Sequence, residues 1–265
     1  MKLLTLNTHS LVESEYEAKL NHFVKAIIKY DVDIIALQEI MQPINANMCK
    51  YECINAGEIP LKQGNHGLNI VNKLLLNGRK YNFAWLGFKK SYDKFDEGIV
   101  LLSKDRIEES KVITLTPFDE YSNWKTRKAL GIKVNKEWFF SVHFGWEESF
   151  EYEFNQMHKE LPRDEKCWIL GDFNTVASER NKGYDLVISS GIYDTYSLAK
   201  NKDDGYTANT GIDGWDEKNN KRNIRIDYIF VTKKTEIESS FVIFNGSNEP
   251  IVSDHYGILL RVEEK

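Results

Sequence analysis

The sequence predicts an α/β protein built on a mixed sheet. Three observations carry that reading. An apolar strand, an amphipathic helix and a second apolar strand follow one another within the first 39 residues. Strand-like runs then crowd between residues 98 and 142, which points to antiparallel pairing instead of a string of crossover units. No linker, low-complexity block or tandem repeat divides the 265 residues, so 1–265 reads as one domain.

Residues 3–7, LLTLN, make the first strand. Tyr16, Leu20, Phe23, Val24, Ile27 and Ile28 then recur at helical spacing over 14–30. Glu13, Glu15 and Glu17 near its front favour the positive end of the helix dipole, or simply make a solvated face. DVDIIALQE, 31–39, is a nearly continuous apolar run ending in a carboxylate, the pattern of a strand buried on both faces whose last residue emerges at an edge. From 41 to 96 turn-rich stretches dominate, interrupted by a helical segment at 68–76 and a strand-like one at 81–88, and this part reads as a long excursion over the surface. Strands are expected at 98–102, 111–115, 129–134 and 138–142, a helix at 147–161, a short buried strand at 167–170 and a helix at 179–189. Further strands are expected at 224–231, 241–244 and 256–262. Trp85, Trp138 and Trp168 fall in strand-like runs and belong in the core.

With 42% hydrophobic and 28% charged residues, the composition fits a soluble globular protein and excludes a disordered, collagenous or disulfide-scaffold chain. The charge balance, 35 Lys+Arg against 40 Asp+Glu for a net −5, offers no support for a partner gripped through its phosphates. The most basic stretches, FKK at 88–90 and NKR at 220–222, are short and offset by Asp93, Asp96, Glu97, Asp213, Asp216 and Glu217. The opening MKLLTLNTHS is too short an apolar run for a signal peptide, and nothing later reaches the ~18 apolar residues of a membrane span. A cytoplasmic location without membrane association is expected. Cys49, Cys53 and Cys167 are odd in number and lack zinc or redox spacing, so they receive no role.

Polar residues stand at the ends of apolar strands where packing does not need them. Asn7 ends LLTLN, Glu39 ends DIIALQE, His143 ends FFSVH, Asp172 and Asn174 end WILGDFN, Asp227 interrupts IRIDYIF, and Asp254 and His255 sit in VSDHYG. Hard oxygen donors such as Glu39, Asp254 and the Asn7 amide suit Mg²⁺, or Mn²⁺, whereas zinc would normally recruit more His or Cys. Asp172 and Asn174 are two apart, which in an extended segment puts both on one face, one to take a proton from water and the other to orient water or substrate. Gly171 lets the backbone approach closely. His143 and His255 can donate to a non-bridging oxygen where negative charge gathers in a transition state, if acids hold their rings: Asp227 for one, and Glu97, just before GIVLLS, for the other.

LTLNTHS, ALQE, SVHFGW, GDFN, RIDYIF and SDHYG, in this order over almost the whole chain, resemble the motifs of the endonuclease/exonuclease/phosphatase superfamily, which includes pancreatic deoxyribonuclease, apurinic endonucleases, sphingomyelinases and inositol polyphosphate 5-phosphatases. The resemblance implies a four-layer α/β sandwich, with two mixed, largely antiparallel central sheets flanked by helices, and a divalent-metal phosphoesterase. It implies that Glu39 binds the metal with Asn7 nearby, Asp172 positions or deprotonates water, Asn174 contacts phosphate or water, His255 stabilises phosphoryl oxygens and Asp227 holds a histidine. Arg127, in WKTRKAL, resembles an arginine that some phosphatase branches place near phosphate, and is otherwise an ordinary surface arginine.

Superfamily membership leaves the substrate open. A nuclease needs a basic groove with stacking aromatics, which the charge pattern does not offer; a sphingomyelinase would normally be secreted or membrane-bound. Trp146 after HFG, Trp215 in TGIDGWDE and Tyr206 in DDGYT would suit a sugar ring, or serve only to clamp loops. The combination HFGW, GDFN, GYD, DTY, GYT and IDGW also resembles the bacterial cytoplasmic sugar-phosphate phosphatases related to maltose 6'-phosphate phosphatase. That branch implies a disaccharide phosphate substrate, hydrolysed to free sugar and inorganic phosphate. A nuclease of the same fold and a non-catalytic scaffold are the alternatives, and no protein partner is implied.

Overall fold

Side chains leave the first strand, β1 (Lys2–Asn7), in alternation: Leu4 and Leu6 enter one buried cluster and Leu3 another. A strand sandwiched on both faces follows directly from that pattern. The computed structural model describes residues 1–209 and 223–263; Trp215 lies outside them. After β1 come α1 (Tyr16–Tyr30), β2 (Ile34–Pro43), β3 (Ile54–Asn55), α2 (His66–Leu76), β4 (Asn82–Ser91) and β5 (Phe95–Ser103). Then follow β6 (Glu109–Thr114), β7 (Lys128–Val134), β8 (Glu137–His143), α3 (Glu147–Glu160), β9 (Cys167–Asp172) and α4 (Gly183–Ser189). The chain continues through β10 (Tyr193–Asp194), α5 (Thr195–Leu198), β11 (Asn201–Lys202), β12 (Asp227–Val231), β13 (Ile237–Ile243) and β14 (Gly257–Val262).

Two mixed sheets result. One runs β11-β13-β14-β1-β2-β5-β4-β3 and the other β10-β12-β9-β8-β7-β6. Among the described residues only β1–β2, β3–β4, β8–β9 and β11–β13 pair in parallel, so both sheets are largely antiparallel. Leu3, Ile34, Leu86 and Leu101 of the first sheet pack with Leu130, Phe139, Trp168 and Ile229 of the second. Phe23, Ile27, Val71 and Leu74 of α1 and α2 cover the outer face of the first sheet; Phe150, Phe154 and Met157 of α3 and Val187 of α4 cover that of the second. Helix, sheet, sheet, helix: this is the four-layer α/β sandwich.

The segment 41–96 is not the surface excursion its turn-rich composition suggests. Leu68, Ile70, Val71 and Leu74 of α2 are buried, and β4 pairs along its length with β5 inside the first sheet. The turns lie between these elements and mask their apolar faces. The helix expected from 179 begins at Gly183, because the Thr175 hydroxyl accepts the N–H of Tyr184 and the preceding polar residues form a turn. Trp85, Trp138 and Trp168 are buried, and all three cysteines are free. Glu13 is not merely solvated: its carboxylate meets His9 Nδ1 at 2.8 Å and bonds Lys19. Among the described residues no helix is long and apolar enough to cross a membrane.

Candidate active site

The sheet registers bring the polar strand ends together. His143 on β8 is the parallel neighbour of Asp172 on β9, and Asp172 is the antiparallel neighbour of Asp227 on β12. One rung of the second sheet therefore carries three titratable groups abreast. Gly171, with φ +152, makes the β8–β9 approach possible, since a Cβ there would fall 1.9 Å from the Val142 carbonyl oxygen.

Across the sandwich, Asn7 closes the gap between the sheets. Its Nδ2 donates to Asp172 Oδ2 at 3.1 Å and to Glu39 Oε1 at 2.9 Å, while its Oδ1 accepts the His9 N–H at 3.4 Å. In this arrangement the Asn7 amide nitrogen faces the two carboxylates and its oxygen the backbone, so Asn7 ties Asp172 to Glu39. Glu39 sits at a bulge where the β2–β5 register slips between Leu37 and Ile40, with φ 51. Such a bulge re-aims a side chain that regular alternation would place elsewhere.

Asp172 and Asn174 also meet by a route that differs from the extended segment expected. Asn174 is left-handed, φ 48; its N–H donates to Asp172 Oδ1 at 2.9 Å and its Nδ2 to the Phe144 carbonyl at 2.9 Å. Both oxygens of Asp172 are thereby fixed. The loop before β14 supplies His255, pinned through Ser253, whose hydroxyl donates to the Asn7 carbonyl at 2.7 Å and accepts the His255 N–H at 3.3 Å. His255 Nδ1 lies 3.0 Å from Asp227 Oδ2, and its Nε2 3.8 Å from Asp172 Oδ2.

The two histidines sit in opposite electrostatic settings. Burial would lower His255, but the carboxylates of Asp227 and Asp172 outweigh it and hold the pKa well above the usual value. His143, whose Nε2 is 3.5 Å from Asp172 Oδ2, is held well below by burial, then by Arg127, Lys89 and His255. Opposed environments of this kind separate charged from neutral roles. Burial, with Asp227 alongside, pushes Asp172 up to about 7.

A cavity of about 450 Å³ opens over these groups. Glu39, Asp172, Asn174, His143, Asp254 and His255 line it, as do Arg127 and Trp146. Tyr206 is exposed and is not among the lining residues. Glu97 lines the cavity but does not partner His143 as expected. It is the cross-strand neighbour of Lys89, whose Nζ lies 2.9 Å from its Oε1, so the sheet register commits it to a lysine.

Among the lining residues that escaped the sequence reading are Lys89, His9 and Trp124. Lys89 lay in the FKK run, read only as a weak basic stretch; its even spacing from Glu97 across a hairpin was the available signal. Trp124 stood beside Arg127 in WKTR, and is 61% exposed on the cavity.

The donor chemistry fits a divalent cation. Burial raises the Glu39 pKa, and the neighbouring Glu97 and Asp254 carboxylates raise it further, a repulsion that a hard cation relieves. Among the described residues two groups place ligand-type atoms within 4.8 Å of one another, His9–Glu13–Asp254 and Asp172–Asp227–His255. The second is a hydrogen-bonded relay with a charged imidazole, which cannot ligate. In the first, burial would lower His9, but the Glu13 bond pushes it up to about 9, and Glu13 is held by Lys19.

Comparison with known proteins decides the family. The model of the endonuclease/exonuclease/phosphatase family matches residues 4–255. The chain belongs to that family. As a member of the endonuclease/exonuclease/phosphatase family it is a phosphoric ester hydrolase, and the family depends on divalent metal. No curated protein matches this chain. Among solved structures it is similar to an endonuclease/exonuclease/phosphatase family protein from Leptotrichia buccalis, with 27% identity, TM-score 0.88 and 100% of both chains covered. It shares its fold with a mannosyl-6-phosphatase from Bacteroides thetaiotaomicron, at 15% identity, TM-score 0.68 and 100% coverage of both chains. It also shares it with a 3' phosphatase from Neisseria bound to a product DNA hairpin, at 15% identity, TM-score 0.66 and 100% coverage of both chains.

Proposed function

We propose that this protein is a Mg²⁺-dependent phosphomonoesterase acting on a small phosphorylated sugar, a disaccharide phosphate such as maltose 6'-phosphate, which it hydrolyses to free sugar and inorganic phosphate in the cytoplasm. One domain, residues 1–265, carries the whole activity. The observation that carries the reading is the cavity: about 450 Å³, within the usual range for small-molecule sites, with buried acid–base groups and exposed aromatics lining the same space. The mannosyl-6-phosphatase of the same fold is consistent with it.

Glu39 and Asp254 would hold the cation, which would supply positive charge to offset the negative charge that develops during hydrolysis. Asp172, fixed through both oxygens and with a pKa near neutrality, takes a proton from the attacking water. Asn7 keeps the carboxylates of Asp172 and Glu39 in register, and Asn174 orients its neighbour through its own backbone N–H. His255, held charged by Asp227, donates from Nε2 to a non-bridging oxygen; neutral His143 donates beside it. Arg127 contacts phosphate, and Trp146 and the exposed Trp124 face the sugar ring. Roles for Trp215 and Tyr206 in sugar binding stay proposals from sequence alone.

The test incubates the protein with Mg²⁺ and, in parallel, a panel of sugar phosphates and supercoiled plasmid, with Asp172→Asn and Glu39→Gln as controls. Phosphate release from a sugar ester, lost in both variants, is expected. Rapid plasmid nicking without phosphate release would overturn the reading in favour of a nuclease.

A further inference from the structure

Lys89 and Arg127 are each only 5% exposed, yet both line the cavity. Lys89 Nζ donates to the Trp124 carbonyl at 3.2 Å and Arg127 Nη1 to the same oxygen at 2.8 Å. Two buried cations thus converge on one neutral acceptor. Arg127 Nη1 also donates to the Thr126 carbonyl at 3.2 Å, but Arg127 Nε is buried without a hydrogen-bond partner. Glu97, 2.9 Å from Lys89, is the single carboxylate paired with either cation among the described residues. Buried like charges are costly unless an anion joins them, and an orphaned buried N–H is a donor waiting for an acceptor.

We infer that Lys89, with Arg127, reads the second negative charge of a phosphomonoester and so sets the preference for monoesters over diesters. The inference rests on the phosphomonoesterase reading and deepens it. A monoester dianion offers three non-bridging oxygens. Asp172 and His255 line the same cavity, and the Lys89–Arg127 pair supplies the charge for the oxygen that, in a diester, would carry a second carbon substituent. That substituent would bring no charge and would have to fit between two buried cations. Glu97 aligns Lys89 across the β4–β5 rung without cancelling both positive charges.

Two substrates with the same leaving group isolate this charge: p-nitrophenyl phosphate and its methyl diester, each assayed with Mg²⁺. Lys89→Met is expected to lower kcat/KM for the monoester by roughly 30-fold or more while changing the diester less than about 3-fold, and Lys89→Arg to recover part of the loss. Calorimetric binding of orthophosphate should weaken in parallel, a readout independent of turnover. Thermal melts accompany each variant, with Lys89→Gln replacing Lys89→Met if the latter does not fold. Equal losses on both substrates, or unchanged orthophosphate binding, would overturn the charge-reading role and leave the phosphomonoesterase standing. A wild-type protein that cleaves only the diester would instead overturn the phosphomonoesterase itself.

Discussion

Asp172 and Asp227 stand directly opposite each other on antiparallel strands, both buried, with the ring of His255 within reach of each. A positive charge between two carboxylates so placed offsets their mutual repulsion. His255 supplies it. Asp227→Asn should therefore act through His255, lowering kcat roughly 100-fold or more. It should also move the alkaline limb of the pH profile to lower pH, because the imidazole loses the carboxylate that holds its proton. A drop in rate with an unmoved alkaline limb would reject Asp227 as the positioning residue.

Carboxylate repulsion around Glu39 predicts that Mg²⁺ stabilises the fold. At about 100 times its dissociation constant the cation should add about 2.7 kcal/mol, read as a rise in Tm, and a chelator should reverse it. Glu39→Gln should shrink that rise and shift Mg²⁺ activation to roughly 10-fold higher concentration or more. An undiminished Mg²⁺ response would exclude Glu39 as a ligand.

Trp124 should behave as a stacking platform. Trp124→Ala is expected to raise KM for a sugar phosphate roughly 2- to 10-fold with kcat nearly unchanged, since stacking on a remote ring binds ground and transition states alike. With p-nitrophenyl phosphate, whose leaving group is not a sugar, the direct comparison of KM values tells whether the effect is specific to the carbohydrate.

Gly171→Ala should be among the most damaging single changes. Its Cβ would collide with the Val142 carbonyl oxygen at 1.9 Å, at a φ of +152 that side chains rarely adopt. A loss of about 3 kcal/mol or more in denaturant unfolding is expected, together with loss of activity, because Asp172 is the next residue.

Away from the site, His66 is a buried neutral histidine that accepts the Tyr16 hydroxyl, 2.8 Å from its Nδ1, and burial lowers its pKa to about 4. The unfolded chain takes up a proton near pH 6.5, before the folded chain does. Its contribution is therefore complete above pH 6.5 and lost as pH falls toward 4, by about 3 kcal/mol across that window. Replacing His66 with Gln should flatten the stability profile between these values, measured by denaturant melts at a series of pH.

Much of the architecture was legible because local periodicity survives in the chain. The alternation of β1, the helical stripe of α1 and the unbroken apolar runs of β2 and β9 each report which faces will be buried. The polar residues that end those runs were visible for the same reason: Asn7, His143, Asp172 and Asp227 break a pattern that packing alone would continue. The two-residue strands β3, β10 and β11 were not visible, since two residues carry no period.

By itself, then, the sequence determined the α/β class, the mixed sheets and the residue types gathered for phosphoester chemistry. Tertiary structure decided who meets whom. The β4–β5 register gave Glu97 to Lys89 in place of His143, the β2 bulge turned Glu39, and the approach of the two sheets set Asn7 between Glu39 and Asp172. The cause is physical: burial and spacing patterns act along the chain, whereas register, bulges and sheet stacking depend on contacts between segments far apart in it. The pairing of Lys89 with Arg127, on which the monoester preference is proposed to rest, is of that second kind.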